Sequence, residues 1–297
     1  MKILLATDGS ECSEDGARFL KRFNFTAKDE IIILHVISEI PYENDYHAQI
    51  RQAIKRVAPK ILSSSADILK GIKAGIKTVE KEGYPDTTII DTAVKEDADM
   101  IVMGARGVKG IKLLILGSST RSVAINSPKP LLVIKKTPRE TAGKIKVLFA
   151  TDGSGTSEAA GRFLTSVPFP DDTEVTVIHA IWSAVSDIPE KFAIEINDRI
   201  KEHAASIRTA EAEESAKIIE NATAYLRARF ADIRGLSKTG DPSTEILNAA
   251  KELNADIIAA GCRGLRGLKG MMGSVSRRIL GDSECSVLIG KPCAGAD

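Results

Sequence analysis

The chain has 297 residues, 43% of them apolar and 4% aromatic, with a formal charge of +1. That length accommodates two ordinary domains with largely aliphatic cores. The near-neutral charge gives no electrostatic case for nucleic acid or an anionic membrane surface, and no apolar run approaches the ~18 residues of a membrane span.

In chain order, MKILLATDGS turns polar too soon for a signal peptide and reads as an immediate strand, ILLAT (3–7), followed by Asp8-Gly-Ser10 and a helix beginning near Ser10 or Ser13. A second strand, EIIILHV (30–36), closes on His35 and Val36. Tyr84-Pro85 opens a helix with proline at its first position but no capping side chain. DMIVMG (99–104) is the next clear strand, and Gly104-Ala-Arg-Gly107 follows it. Nine residues later Gly117-Ser118 opens a last helix, and LLVIKK (131–136) closes the series as a strand.

The same order then recurs. VLFAT (147–151) precedes Asp152-Gly-Ser154, and EVTVIHA (174–180) closes on His179 and Ala180. Ala212, Ala216, Ile219, Thr223, Leu226 and Phe230 recur at helical spacing as one apolar stripe. Asp241-Pro242 reads as an N-cap followed by proline. DIIAAG (256–261), Gly261-Cys-Arg-Gly264, Gly273-Ser274 and SVLIGK (286–291) complete the copy. His35 and His179 stand 144 residues apart, whereas GYPDTTIIDTAVKEDADMIVMGARG (83–107) and GDPSTEILNAAKELNADIIAAGCRG (240–264) stand 157 apart. The second copy therefore carries a 13-residue enlargement within roughly 183–230, a place to look for a partner-specific surface. A repeat of this kind predicts two domains, 1–138 and 145–292, joined through the Pro-, Gly- and charge-rich stretch 135–146. Strand–helix alternation predicts an α/β fold: in each copy a parallel sheet of five strands, flanked by helices and wound right-handed.

In an open parallel sheet, ligands bind beyond the carboxyl ends of the strands where the strand order reverses. Four features fall there in each copy: Asp8 or Asp152; the strand end at Val36 or Ala180; the turns holding Gly104, Arg106 and Gly107, or Gly261, Arg263 and Gly264; and Gly117-Ser118 or Gly273-Ser274 at a helix start. Glycines let backbone amides approach an anion, and a helix start supplies free N–H groups and a positive dipole end. Each feature also has a plain structural reading. The glycines serve turns, either aspartate caps a helix, and Arg106 and Arg263 are solvated loop residues. Recurrence of all four in order favours a phosphate cradle.

These residues resemble the universal stress protein family, whose pattern is Gly-x-x-Gly, nine residues, then Gly-Ser or Gly-Thr, and whose opening strand ends in Asp-Gly-Ser. The resemblance covers nearly the whole chain as two fused copies. It implies tandem Rossmann-like domains of the adenine nucleotide alpha-hydrolase type and a site for ATP, with Mg²⁺ entering on the phosphates. It places the main chain near Val36 and Met103 along the adenine pocket and extends the helix-start set to Ser119 and Thr120, or Val275 and Ser276. The first copy keeps the spacing but reads Gly117-Ser-Ser-Thr120 where ATP-binding relatives read Gly-Ser-Val-Ser/Thr. The second keeps Gly273-Ser-Val-Ser276 but has eight residues after Gly264, a loss that either shifts the donors or is absorbed in the loop. ATP binding is expected in at least one copy, the first by a small margin.

The remaining signals are secondary. Lys109, Lys112 and Arg121 add positive charge around the first site, and Arg266, Lys269, Arg277 and Arg278 around the second. Neither His35 nor His179 has a serine or cysteine with a positioning acid nearby in sequence, so each reads as a packed or hydrogen-bonded strand-end residue. Trp182 reads as covering core or a domain contact. The apolar run Ile111–Leu116 reads as a packed segment. Cys12, Cys262, Cys285 and Cys293 show no framework, which predicts thiols in a cytoplasmic protein. His47 and His203 stand alone, no His/Cys cluster has metal-ligand spacing, and no Gly-x-x-x-x-Gly-Lys-Ser/Thr loop is present. A nucleotide sensor therefore leads, with LLVIKK and SVLIGK pairing the halves as an internal pseudo-dimer and homodimerisation left open. The alternatives are a slow ATPase or nucleotidyl-transfer enzyme, and a nucleotide-free interaction scaffold.

Overall fold

The computed structural model describes residues 1–39, 45–107, 116–135, 143–183, 198–264 and 272–292. The first half runs β1 (Lys2–Ala6), α1 (Glu11–Leu20), β2 (Glu30–Ser38), α2 (Asp45–Ile68), β3 (Gly75–Gly83), α3 (Pro85–Lys95), β4 (Met100–Gly104), α4 (Ser118–Asn126) and β5 (Leu131–Ile134). The second repeats it as β6 (Lys146–Ala150), α5 (Gly155–Ser166), β7 (Glu174–Ile181), α6 (Asp198–Leu226), β8 (Asp232–Thr239), α7 (Pro242–Glu252), β9 (Ile257–Gly261), α8 (Ser274–Asp282) and β10 (Ser286–Gly290). The strands form one sheet of ten in the order β3-β2-β1-β4-β5-β10-β9-β6-β7-β8. Each half is a parallel set of five, and the halves meet where β5 and β10 pair antiparallel, Leu132 opposite Leu288.

Central strands such as β1 and β2 are continuous aliphatic runs because both faces are covered. Alternate residues feed two cores. Leu5, Ile33, Val102 and Leu132 join one; Leu4, Ile32, Ile101 and Val133 join the other. Both cores continue through the β5–β10 joint, the first by Leu288 and the second by Val287.

The third strand of each half, absent from the apolar segments read above, forms an edge. In β3, GIKTVEKEG, most residues are exposed, and its lysines and glutamates suit an edge that must not recruit another strand. Asp241 caps α7, accepting from the Thr244 amide at 2.9 Å, while Tyr84 supplies no side-chain cap to α3. The stripe read along α6 needs correction. Ile219, Thr223 and Leu226 turn inward as read, joined by Ser215 and Ala222, whereas Ala212 and Ala216 are exposed. Alanine contributes too little apolar area to fix which face of a long helix turns inward. Phe230 is buried but lies beyond the helix end. Gly9 and Gly153 adopt positive φ and face Ile61 and Ile218 respectively, so the 157-residue offset is already reached on α6 and the enlargement precedes Ile218.

Further contacts bind the halves. Phe23 after α1 meets Phe169 after α5 edge-on, ring centroids 5.1 Å apart, and the Asn24 amide donates to the Pro168 carbonyl at 2.7 Å. A reciprocal pair of lysines spans the joint. Lys135, just past β5, donates to the Gly281 and Ser283 carbonyls at the end of α8, at 3.1 and 2.8 Å. Lys291, just past β10, donates to the Ala124 carbonyl of α4 at 2.8 Å. Each ammonium thus sits on the negative end of a helix from the opposite half.

Burial, the largest influence, lowers the Lys135 ammonium from 10.5 to about 8. Below pH 8 that lysine is protonated in both folded and unfolded chains. Between about 8 and 10.5 the folded chain has released the proton and the unfolded chain keeps it, so this group makes stability rise with pH across the window. Denaturation at pH 7 and pH 10 should show the wild type gaining on Lys135→Met by an amount on the order of 2 kcal/mol. Parallel pH profiles would refute the assignment.

Candidate functional site

The strand order reverses between β1 and β4, and again between β6 and β9, and the predicted residues gather beyond those strand ends. Ser10 and Ser154, not the aspartates, cap the first helices, each accepting from the amide three residues on. Asp8 Oδ1 accepts from the Ser10 amide and hydroxyl at 3.1 and 2.6 Å, and Asp152 Oδ1 from the Ser154 amide at 3.1 Å. The other oxygen of each carboxylate faces the Gly-x-x-Gly turn: a Cβ built on Gly107 would lie 2.3 Å from Asp8 Oδ2, and one on Gly264 2.5 Å from Asp152 Oδ2. The aspartate and the second glycine are therefore one unit, and the capping reading of the aspartates falls.

The first glycine serves packing. A Cβ on Gly104 would lie 2.7 Å from the Cys12 backbone carbon and oxygen, and one on Gly261 2.9 Å from the Thr156 carbonyl oxygen. The third glycine differs. Gly117 has φ −59° and Gly273 φ −60°, and among the described residues the nearest atoms to an added Cβ are 3.4 Å away. Both are N-caps without a capping side chain. Their own amides are spoken for, donating at 2.9 Å to the Ala105 and Cys262 carbonyls. The donors a ligand could use are thus the next amides of each first turn, which have no intrahelical partner by construction. Ser118 and Ser274 are exposed there. Thr120 and Ser276 turn inward, their hydroxyls donating to the Gly104 and Gly261 carbonyls at 3.0 and 2.7 Å. The fourth position thus needs a hydroxyl to satisfy the strand-end carbonyl, and threonine or serine serves equally. Ser119 and Val275 are half-buried beside them.

These bonds and dihedrals match between the halves, so the missing residue after Gly264 leaves the flanking donors in place. Residues 108–115 and 265–271, with Lys109, Lys112, Arg266, Lys269 and most of the Ile111–Leu116 run, lie outside the described residues, as does Cys293.

In the second half a cavity of about 1050 Å³ opens at this point. All nine residues expected there line it, from Asp152 and Ala180 through Gly261, Arg263 and Gly264 to Gly273–Ser276. In the first half Met103 is buried in β4 between Ala6 and Val133, and Val36 is half-buried at the end of β2. Arg106 is half-buried on its turn. Arg278 belongs elsewhere: it bonds Asp241 at 3.1 Å, and Arg277 reaches the Met272 carbonyl at 3.3 Å.

Both strand-end histidines are hydrogen-bonded. His35 Nδ1 pairs with the Thr7 carbonyl at 2.8 Å. His179 Nδ1 pairs with Ser215 Oγ at 2.9 Å, which in turn meets Ser237 Oγ at 2.8 Å. This serine, 36 residues away on α6, was invisible to sequence proximity. It is fully buried, so its hydroxyl orients the imidazole and is shielded from substrate. Burial lowers the His179 pKa and keeps the ring neutral at pH 7. Among the described residues Trp182 covers neither core nor a domain contact: it is 61% exposed on the cavity wall.

The sequence profile described as "Universal stress protein family" matches residues 1–135 and again 145–291. The chain belongs to the universal stress protein family. Its two copies have the Rossmann-like, adenine nucleotide alpha-hydrolase-like fold of that family. A single-repeat universal stress protein of Methanocaldococcus jannaschii is 30% identical over 157 residues, covering 46% of this chain and 94% of its own length. A universal stress protein of Mycolicibacterium smegmatis is 27% identical over 312 residues, covering 98% of this chain and 97% of its own. Among solved structures, a universal stress protein of Archaeoglobus fulgidus shares the fold with a TM-score of 0.64 at 24% identity, over 98% of both chains. Among the described residues no helix of this universal stress protein is long and apolar enough to cross a membrane.

Proposed function

We propose that this tandem universal stress protein binds an adenine nucleotide in each half and acts as a nucleotide-responsive regulator of the stress response. The observation that carries this reading is the helix start at Gly117 and Gly273. Among the described residues, a glycine that packing does not demand precedes first-turn amides with no cap, beside an Asp–Gly pair, at the switch point of a parallel sheet. Those amides and the Ser118 and Ser274 hydroxyls would take the phosphates, with Arg106 or Arg263 neutralising charge. The Val36 and Met103 region, and Ala180 in the second half, would line the base pocket. With ATP as ligand, Mg²⁺ would enter on the phosphates and take serine hydroxyls or water as further ligands. Matching flanks in the two halves favour two nucleotides per chain over one.

The test is to denature protein purified in the presence of ATP and identify the released small molecules by mass and stoichiometry. Close to two adenine nucleotides per chain are expected. Nucleotide-free protein whose melting temperature ATP does not shift would favour the scaffold reading instead.

A further inference from the structure

The two sites share their phosphate side and differ in the opposite wall. By the repeat offsets, Val36 and Ser38 of the first half correspond to Ala180 and Trp182 of the second, and Val57 corresponds to Glu214. Bulk has moved from one position to another two residues on. The smaller Ala180 leaves room beside a large flat ring, and both residues line the same cavity. Trp182 is 61% exposed, so an indole's apolar face is held towards solvent at the mouth of a ligand-sized space, where hydrophobic burial alone would not keep it.

The charges of this cavity point the same way. Among the described residues its lining carries three carboxylates, Asp152, Glu158 and Glu214, and two guanidiniums, Arg162 and Arg263. Arg162 is engaged already, bonded to Glu158 at 2.6 Å and stacked 5.2 Å from the Tyr225 ring centre. Among the described residues that leaves Arg263 facing Asp152 and Glu214, one carboxylate more than in the first half, where Val57 stands in place of Glu214, and so a weaker pull on a polyphosphate. A flat, uncharged base gains from an indole face irrespective of the phosphate count.

We propose that the second-half cavity is a base-stacking site, in which Trp182 is the platform for the aromatic base of the nucleotide. Affinity there resides in the base, whereas the first half, with Ser38 at this position, relies on phosphate contacts. The second half therefore holds nucleoside monophosphates nearly as well as triphosphates, and the first half does not. This rests on the nucleotide-binding reading above.

Trp182 is the chain's single tryptophan, so its emission reports on the second half alone. The full-length chain carrying Gly117→Glu, which blocks the first cradle, is titrated with AMP, ATP and inorganic tripolyphosphate. Tryptophan fluorescence is recorded, and bound ligand is counted by equilibrium dialysis. AMP and ATP should quench the emission saturably with similar Kd, and tripolyphosphate should leave it unchanged. Trp182→Ala should weaken AMP binding roughly tenfold or more, the range expected when an aromatic is removed from a base stack. Trp182→Phe should restore most of that loss. Being exposed, the position tolerates both changes without loss of fold, which a thermal melt verifies. Nucleotide counted on the second half with unchanged emission, and with the same Kd in Trp182→Ala, overturns the stacking platform and leaves nucleotide binding intact. An ATP affinity far above that for AMP overturns it too. No nucleotide retained by either half of the unmutated chain overturns both readings.

Discussion

Phe169→Ala should destabilise the chain by about 3–5 kcal/mol, the usual cost of emptying a buried aromatic position. Phe169 is 1% exposed and bridges the halves, meeting Phe23 of the first half at 5.1 Å and Phe230 of its own at 6.2 Å. Removing the ring strips contacts from both. The surrounding backbone is pinned, with the Asn24 amide on the Pro168 carbonyl and the Arg229 guanidinium on the Phe169 carbonyl, so the cavity cannot collapse. Urea denaturation monitored by circular dichroism should show the midpoint falling and the transition broader or more split than in the wild type, as the halves lose their coupling. A loss below about 1 kcal/mol would mean that the aromatic cluster adds nothing to the union of the halves.

The second large effect separates glycines that the sequence motif treats alike. Gly104→Ala would drive a methyl to 2.7 Å from the Cys12 backbone. Backbone cannot rotate aside, so α1 must be pushed off β4 at a cost of about 1–3 kcal/mol. Among the described residues Gly117→Ala meets nothing nearer than the Ala105 oxygen at 3.4 Å, and it has a φ that alanine accepts; it should cost about 1 kcal/mol or less, as an N-cap change. Ligand binding should show the opposite order. The Gly117 methyl would stand between the two turns, where the phosphates are proposed to lie, and should lower first-half nucleotide affinity at least tenfold. Thermal melts and dialysis on the two variants decide the matter. Equal stabilities with equal affinities would return all three glycines to the role of simple turns.

The fold was legible where a segment's own composition settles its environment. Runs such as IIILH and MIVMG are apolar on both faces and fit only buried parallel strands. Asp241-Pro242 carries its cap and its stop for the preceding chain in two letters. The edge strands β3 and β8 are required by the count of five per copy but could not be located, because an edge is polar by necessity and GIKTVEKEG has no periodicity to distinguish it from a loop. The Phe23–Phe169 contact joins residues far apart in sequence whose meeting depends on the two halves being docked. At the site, the glycine spacing was visible, but its division of labour was not. Whether a glycine spares room for a carboxylate, a helix or a ligand depends on what lies beyond its α-carbon. The His179–Ser215 bond and the outward Trp182 depend in the same way on α6 and β7 being placed side by side.

Closing β5 on β10 within one polypeptide has an evolutionary corollary. An assembly of two identical single-repeat chains inherits every substitution in duplicate, so a change that helps one pocket is imposed on the other. Here each pocket is encoded once. Tyr225 could enter between α5 and α6 because Gly161, where a Cβ would sit 2.3 Å from its hydroxyl, made way for it, while Ala17 and Ile68 occupy the matching places in the first half. Paired changes of this kind can be selected separately on either side of the joint, while the shared sheet keeps both sides answerable to one folding event.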